Sequence, residues 1–305
     1  MTMNDQVVSI GKICMDFIYG GMERLPALGE EIYSKGFTMQ FGGGSPATLI
    51  HLKRLGVPHK LGLFLGKGNL SALAQRMLGD YGVCYENLYR GVLADPLAIT
   101  SVMSTKHDRA FASFEPDGGA YMNIPEGEMY ELYRGARVAY IRLGYDDVWR
   151  RLKREGATLI LDSYWTDELS FDMYREAFTY IDYFTPNEKE APKIMGVQTP
   201  EEALDALAEY IPNPMVKLSR HGCIIKENGR TVHVPSTDNF VHVDSTGAGD
   251  AFIAGFIYGI YHGHSMREST AFGNIMGGNC VTKHGCLAAE MDEKTLLAYY
   301  KTLYC

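Results

Sequence analysis

The sequence predicts an α/β protein with a doubly wound, mostly parallel sheet, and three observations predict it. Short β-branched runs recur along the chain, helical patterns separate them, and two helix starts are chemically explicit. The runs are Val7–Ile13, Lys60–Leu65, Arg137–Leu143, Thr158–Asp162, Tyr180–Thr185 and Val216–Ser219. Strands spaced by helices form βαβ units, which close into a parallel sheet covered on both faces.

Helices are expected over Ser71–Tyr81, Asp147–Glu155 and Pro200–Tyr210. Thr199-Pro200-Glu201-Glu202 sets a cap, a first-position proline and a box glutamate in order. Ser265-Met266-Arg267-Glu268 repeats the box before a helix running toward Cys280. Two segments break this rhythm, Phe17–Phe41 and Leu97–Phe114, both with extended alternation. They fit either a small separate sheet over one edge of the main domain or edge hairpins. No repeat, low-complexity stretch or composition break divides the chain, so residues 1–305 are expected to form one domain.

Composition narrows the function. A net charge of −8 disfavours nucleic-acid and anionic-membrane partners, which require basic surfaces. Six cysteines (Cys14, Cys84, Cys223, Cys280, Cys286 and Cys305) form no C-x-x-C pair, as expected of core residues in a reducing compartment. The polar start, Met1–Gln6, shows no signal peptide, and the longest apolar run, Ala251–Tyr261, is too short for a bilayer. A soluble, cytoplasmic protein is expected.

The chemistry concentrates in Asp244-Ser245-Thr246-Gly247-Ala248-Gly249-Asp250. Glycine leaves backbone N–H groups bare, and a helix N-terminus attracts anions, so this loop can cradle a phosphate. Asp250 at its lip can take a proton from a hydroxyl. Read alone, the loop is equally an ordinary glycine turn before a helix.

A second glycine loop, Phe41-Gly42-Gly43-Gly44-Ser45-Pro46-Ala47-Thr48, offers helix-start amides to a polar ligand, with Ser45 as a cap, or serves as a plain turn. Asp16 follows an apolar strand and can accept two sugar hydroxyls or act as a turn former. Thr185-Pro186-Asn187-Glu188-Lys189-Glu190 supplies an amide and a carboxylate three residues apart, suited to phosphate and water-bridged Mg²⁺ or to a helix start. Lys217–Gly222 runs from a strand into a turn, either lining a nucleotide or closing a hairpin. Ligands of open α/β sheets bind at the carboxyl ends of strands, so Asp16, Asn187 and the 244–250 loop should converge. Walker and dinucleotide fingerprints are absent: Gly62–Gly68 has the wrong spacing, and Phe252 stands where a third glycine belongs.

In order and spacing these motifs resemble the PfkB, or ribokinase-like, family of carbohydrate kinases over essentially the whole chain. The most specific element is Asp-Ser-Thr-Gly-Ala-Gly-Asp at 244–250. The resemblance implies the ribokinase-like fold, with segments 17–41 and 97–114 as a small β-sheet lid that also forms a homodimer contact. It implies Asp250 as catalytic base, with the amides of Gly247, Ala248 and Gly249 as anion hole. It implies Asp16, Gly43, Gly44, Thr48 and Arg109 (with Asp108 near the lid) at the sugar. Asn187, Glu190, Lys217, Ser219, Gly222 and Asn274 would serve ATP, with Glu190 reaching Mg²⁺ through water. Asp244, Thr246, Cys280, Lys283 and Gly285 would hold a monovalent cation such as K⁺, mostly by backbone.

Three departures from the family pattern bear on the acceptor. Thr48 replaces an asparagine, Lys67 replaces an acid, and Ile141-Arg142-Leu143-Gly144 stands where ribose kinases place a glutamate. Arg142 suits an acidic sugar, or is a surface arginine. The expected activity is ATP-dependent phosphorylation of a hydroxymethyl group on a small sugar. The alternatives are a nucleoside kinase of the same fold and a catalytically silent sugar-binding or regulatory protein.

Overall fold

The computed structural model describes residues 4–106 and 109–304. β1 (Asn4–Ile10) is followed by β2 (Cys14–Met22), β3 (Gly36–Phe41) and α1 (Ser45–Arg54). β4 (His59–Leu63), α2 (Asn69–Tyr81) and β5 (Tyr85–Asn87) precede the pair β6 (Ala98–Thr105) and β7 (Arg109–Phe114). Next come α3 (Glu126–Tyr133), β8 (Ala136–Ile141), α4 (Asp146–Arg154), β9 (Thr158–Leu161), α5 (Phe171–Tyr174), β10 (Tyr183–Phe184), α6 (Glu190–Met195) and α7 (Pro200–Leu207). The chain ends with β11 (Asn213–Lys217), β12 (Cys223–Glu227), β13 (Arg230–Val234), α8 (Ala248–Tyr261), α9 (Met266–Cys280) and α10 (Glu293–Tyr304).

Among the described residues the main sheet has the order β13-β12-β11-β10-β9-β8-β1-β4-β5. It is parallel from β11 to β5, with β12 and β13 antiparallel at one edge. The strand order reverses between β1 and β8, which is where a doubly wound sheet opens a crevice at its strand ends. Two apolar cores cover the two faces. One gathers α1, α2, α8, α9 and α10, and the other gathers α3, α4, α6 and α7. Helix α8 is buried from Ala251 to Tyr258, and Gly255 and Gly259 let α9 approach its backbone closely. Both capping boxes form, at Thr199/Glu202 and at Ser265/Glu268.

The remaining strands make a separate sheet, β3-β2-β6-β7. The two irregular segments are therefore a small sheet of their own rather than edge hairpins of the main one. It starts earlier than expected: β2 opens at Cys14, so Asp16 lies on this lid, paired with Gln40 and Thr100, instead of following β1 directly. No helix among the described residues is long and apolar enough to cross a membrane.

Candidate active site

The loop between β3 and α1 runs between two carboxylates. A Cβ on Gly42 would lie 2.9 Å from Asp16 Oδ1, and one on Gly43 would lie 2.4 Å from Asp250 Oδ2. Only a chain without side chains passes there. Gly44, in a left-handed conformation (φ 90°), is the N-cap of α1 and donates its amide to Asp250 Oδ1 at 2.8 Å. The helix thus begins one residue earlier than its sequence suggests: Ser45 is already helical and caps nothing with its side chain.

Asp250 sits in the first turn of α8, partly open to the crevice. Burial pushes its carboxyl up to about 7, against the Gly44 hydrogen bond, which favours the charged form; Asp162 adds to the rise and Lys217 opposes it. A carboxyl poised near neutrality beneath a helix N-terminus can collect a proton from an alcohol. Burial also raises Asp16, whose Oδ1 accepts a weak bond from Cys14 Sγ at 3.3 Å.

Gly247 (φ 76°) is the N-cap of α8, in the loop expected to cradle a phosphate. A side chain there would strike Cys286, since a Cβ would lie 2.1 Å from that residue's Cβ. One of its three donors is turned elsewhere: the Ala248 amide bonds Ser245 O at 3.2 Å. Among the described residues no hydrogen bond is made by the amides of Gly247 and Gly249.

Glu190, buried at the start of α6, accepts from Ser163 Oγ and from the Asn187 amide through Oε2, at 2.5 and 3.0 Å. Its Oε1 has no hydrogen bond among the described residues. Such a carboxylate fits a water-bridged Mg²⁺. No cluster of three or more His, Cys, Asp or Glu that could hold a metal exists among the described residues, so that ion would rest largely on phosphate and water. The Asn187 side chain spends its oxygen on the amides of Lys189 and Glu190, making the helix start that the motif also allowed.

Several expected ligand contacts are replaced by internal ones. Thr48 is fully buried, and its hydroxyl donates to Asp250 O at 3.3 Å instead of facing a sugar. Asn274 donates to Val234 O and Pro235 O at 3.0 and 3.2 Å, so its amide fastens α9 to the 234–235 turn. Lys217 turns inward to Asp162, 3.0 Å away. Ser219 (φ 54°) and Gly222 (φ 90°) shape the β11–β12 turn, where a Cβ on Gly222 would come within 2.2 Å of Val234 O.

The loop expected to hold a monovalent cation closes on itself. Asp244 Oδ1 accepts from Thr246 N and Oγ1, and Oδ2 accepts from Gly285 N, at 2.8 to 2.9 Å. The Cys280 thiol reaches Thr246 O at 3.5 Å. Lys283 is exposed. Arg109 pairs its backbone with Ser104, while Asp108 lies outside the described residues.

Asp162 was missed by sequence reasoning. It ends the apolar run of β9 as Asp16 ends an apolar run nearer the start, so the same strand-end criterion selects it. It accepts from Thr185 Oγ1 at 2.6 Å and from Lys217 Nζ.

Comparison with known proteins bears on the fold and the family. Ribokinase of Arabidopsis thaliana is 26% identical over 314 aligned residues, covering 97% of this chain and 81% of that protein. The structure of the Arabidopsis ribokinase complexed with ribose and ATP superposes with a TM-score of 0.79, covering 99% of both chains at 24% identity. A Burkholderia thailandensis nucleoside kinase in complex with inosine superposes at 0.74, with 98% of both chains covered and 17% identity. The model of the pfkB family carbohydrate kinases matches residues 4–293. With that match over nearly its full length, the chain belongs to the pfkB family of carbohydrate kinases.

Proposed function

We propose that this protein phosphorylates a hydroxymethyl group of a small sugar or sugar-like molecule at the expense of ATP, with Asp250 as the general base. The observation that carries this reading is the glycine loop threaded between Asp16 and Asp250. It brings both carboxylates against one bare stretch of backbone, where a hydroxylated ligand would meet the two together. Bound MgATP would supply the phosphoryl group and neutralise part of its charge. Asp250 takes the hydroxyl proton as the oxygen approaches in line, and the Gly247 and Gly249 amides receive the negative charge that develops. Asp16, carried on the lid, orients the acceptor, and lid closure excludes water. Gly43, Gly44 and Arg109 belong to the acceptor side. Asn187, Glu190, Ser219 and Gly222 line the nucleotide side.

A nucleoside acceptor is the second reading. It is favoured by the aromatic cluster of the lid, where the Phe37 ring lies 5.4 Å from Tyr19 and 6.4 Å from Phe17. Such rings can stack on a flat base. The lid also exposes Phe37 (55%) and Phe114 (61%), consistent with a homodimer through this sheet. Light scattering of wild type and Phe114→Glu tests that contact.

The activity test is ATP consumption across sugars, sugar acids and nucleosides, with Asp250→Asn as control. A sugar-dependent signal abolished in the variant supports the reading. Turnover at wild-type rate in Asp250→Asn refutes the base assignment. Sugar binding without turnover of any acceptor would mark a silent binding protein.

A further inference from the structure

Beneath the catalytic carboxylate, the ends of β9 and β11 bring together a lysine and an aspartate that no part of the proposed mechanism yet uses. Lys217 Nζ bonds Asp162 Oδ1 at 3.0 Å, with the two side chains only 13% and 19% exposed. Thr185 Oγ1 donates to the same Asp162 oxygen at 2.6 Å. The same ammonium lies 5.9 Å from the ring centre of Phe252, two residues after Asp250 on α8. The Lys217 backbone is held by its amide bond to Pro186 O at 2.9 Å and by a bridge to Asn187, so the strand end cannot swing away.

A buried ion pair is a costly feature. Desolvating two charges commonly offsets their attraction, and an apolar pair of equal volume serves stability as well or better. Its placement at the carboxyl ends of β9 and β11, on either side of β10 and against Phe252 of α8, calls for a reason other than stability. We propose that Lys217, gripped by Asp162, is a positioning residue of the phosphoryl-transfer centre: a fixed ammonium that answers the negative charge gathering at Asp250 and the incoming phosphoryl group. The strand that the family pattern assigns to the nucleotide thus contributes its long side chain to the transfer centre. This rests on the reading of Asp250 as the base.

The electrostatics around Asp250 agree. Lys217 favours its carboxylate and Asp162 disfavours it. Burial alone would lower Lys217, but the Asp162 carboxylate holds it above the ordinary lysine value, so the ammonium stays charged at working pH. The other groups facing Asp250 are neutral or dipolar. They are the Gly44 amide before α1, the Thr48 hydroxyl on α1 at the Asp250 carbonyl, the Tyr140 phenol on β8, the Cys280 thiol on α9 and the Cys286 thiol. Burial keeps both thiols and the phenol protonated. Lys217 is the one cation in this set.

The test compares wild type with Lys217→Met, Lys217→Arg and Asp162→Asn. At saturating ATP, Lys217→Met should lower kcat at least 50-fold while the acceptor KM changes less than threefold, and Lys217→Arg should recover a tenth or more of the rate. The acid limb of kcat/KM should move to higher pH in Lys217→Met and to lower pH in Asp162→Asn. A merely structural pair would not give a fall in kcat at unchanged acceptor KM that Lys217→Arg restores. In the free protein, carbon-13 titration of the Asp250 carboxyl, assigned with Asp250→Asn, should move the same way. That measurement needs no substrate, so it decides this proposal even if no acceptor is ever turned over. If Lys217→Met fails to fold, Asp162→Asn decides alone, a downward shift supporting the proposal. Unmoved titrations, or wild-type kcat in folded Lys217→Met, would overturn it.

Discussion

Gly44 donates its amide to the Asp250 carboxylate across 2.8 Å, joining residues 206 positions apart in the chain. This bond ties the start of α1 to the start of α8, so the acceptor loop and the base move as one piece. It also supplies the one hydrogen bond opposing the rise that burial imposes on Asp250.

Replacing Asp250 with Asn keeps the shape and the acceptor for the Gly44 amide but removes the base. Turnover should fall by roughly 10²–10⁴, the usual contribution of a positioned general base, with ATP binding by calorimetry changed less than threefold. Stability should move the other way. The folded carboxyl titrates near 7 against 3.8 unfolded, so its penalty is absent below pH 3.8, grows between 3.8 and 7, and is complete above 7. At pH 8 the variant should melt a few degrees higher, corresponding to about 1–2 kcal/mol.

The pH profile follows from the same group. Base catalysis needs the carboxylate, so kcat/KM should rise tenfold per pH unit below about 6 and level off above about 7. An acid limb centred near 4 would contradict the buried setting of Asp250.

Gly43→Ala places a methyl carbon 2.4 Å from Asp250 Oδ2, closer than any contact tolerates. Either the loop or the carboxylate must shift by about 1 Å, and such a misplacement costs about 100-fold in rate. Circular dichroism should show an unchanged fold, separating this defect from unfolding.

Thr48→Val preserves volume and removes the hydroxyl that donates to Asp250 O. Loss of that bond should lower stability by about 1 kcal/mol in urea unfolding. The acceptor KM should change less than twofold, because the hydroxyl faces the backbone rather than the pocket. A tenfold rise in KM would restore Thr48 to the sugar site.

His51 is buried on α1 with Nε2 against Cys286 O at 2.9 Å and with Nδ1 unpartnered among the described residues. Burial depresses its imidazole to about 4. A folded value below the unfolded 6.5 means stability is intact above pH 6.5 and is lost as pH falls toward 4. About 2 kcal/mol should disappear between pH 6.5 and 5. In His51→Gln the pH dependence of urea unfolding over that range should flatten.

Residues whose role depends on local chemistry were legible. The glycines at 247 and 249, the Asp250 carboxylate in a first helical turn, and both capping boxes follow from spacing and backbone freedom alone. Side chains whose partners lie far along the chain were not. Thr48 and Asn274 sit in motif positions that suggest ligand contact, yet each is claimed by a carbonyl more than thirty residues away, at Asp250 and Val234. Lys217 reads as the rim of a nucleotide site and is drawn inward by Asp162. The lid begins at Cys14 because β2 pairs with β6, a partner that alternation within residues 14–22 cannot reveal.

By itself the sequence determined the layer architecture and the two glycine loops, because periodicity, capping and φ freedom act over a few residues. The tertiary structure alone decided which polar groups remain for ligands. Burial drives most polar atoms to find a partner, and only the folded chain shows which partners are near. The Thr48 hydroxyl and the Asn274 amide are consumed in holding the chain together. Asp16 Oδ2, Glu190 Oε1 and the Gly247 and Gly249 amides carry no hydrogen bond among the described residues.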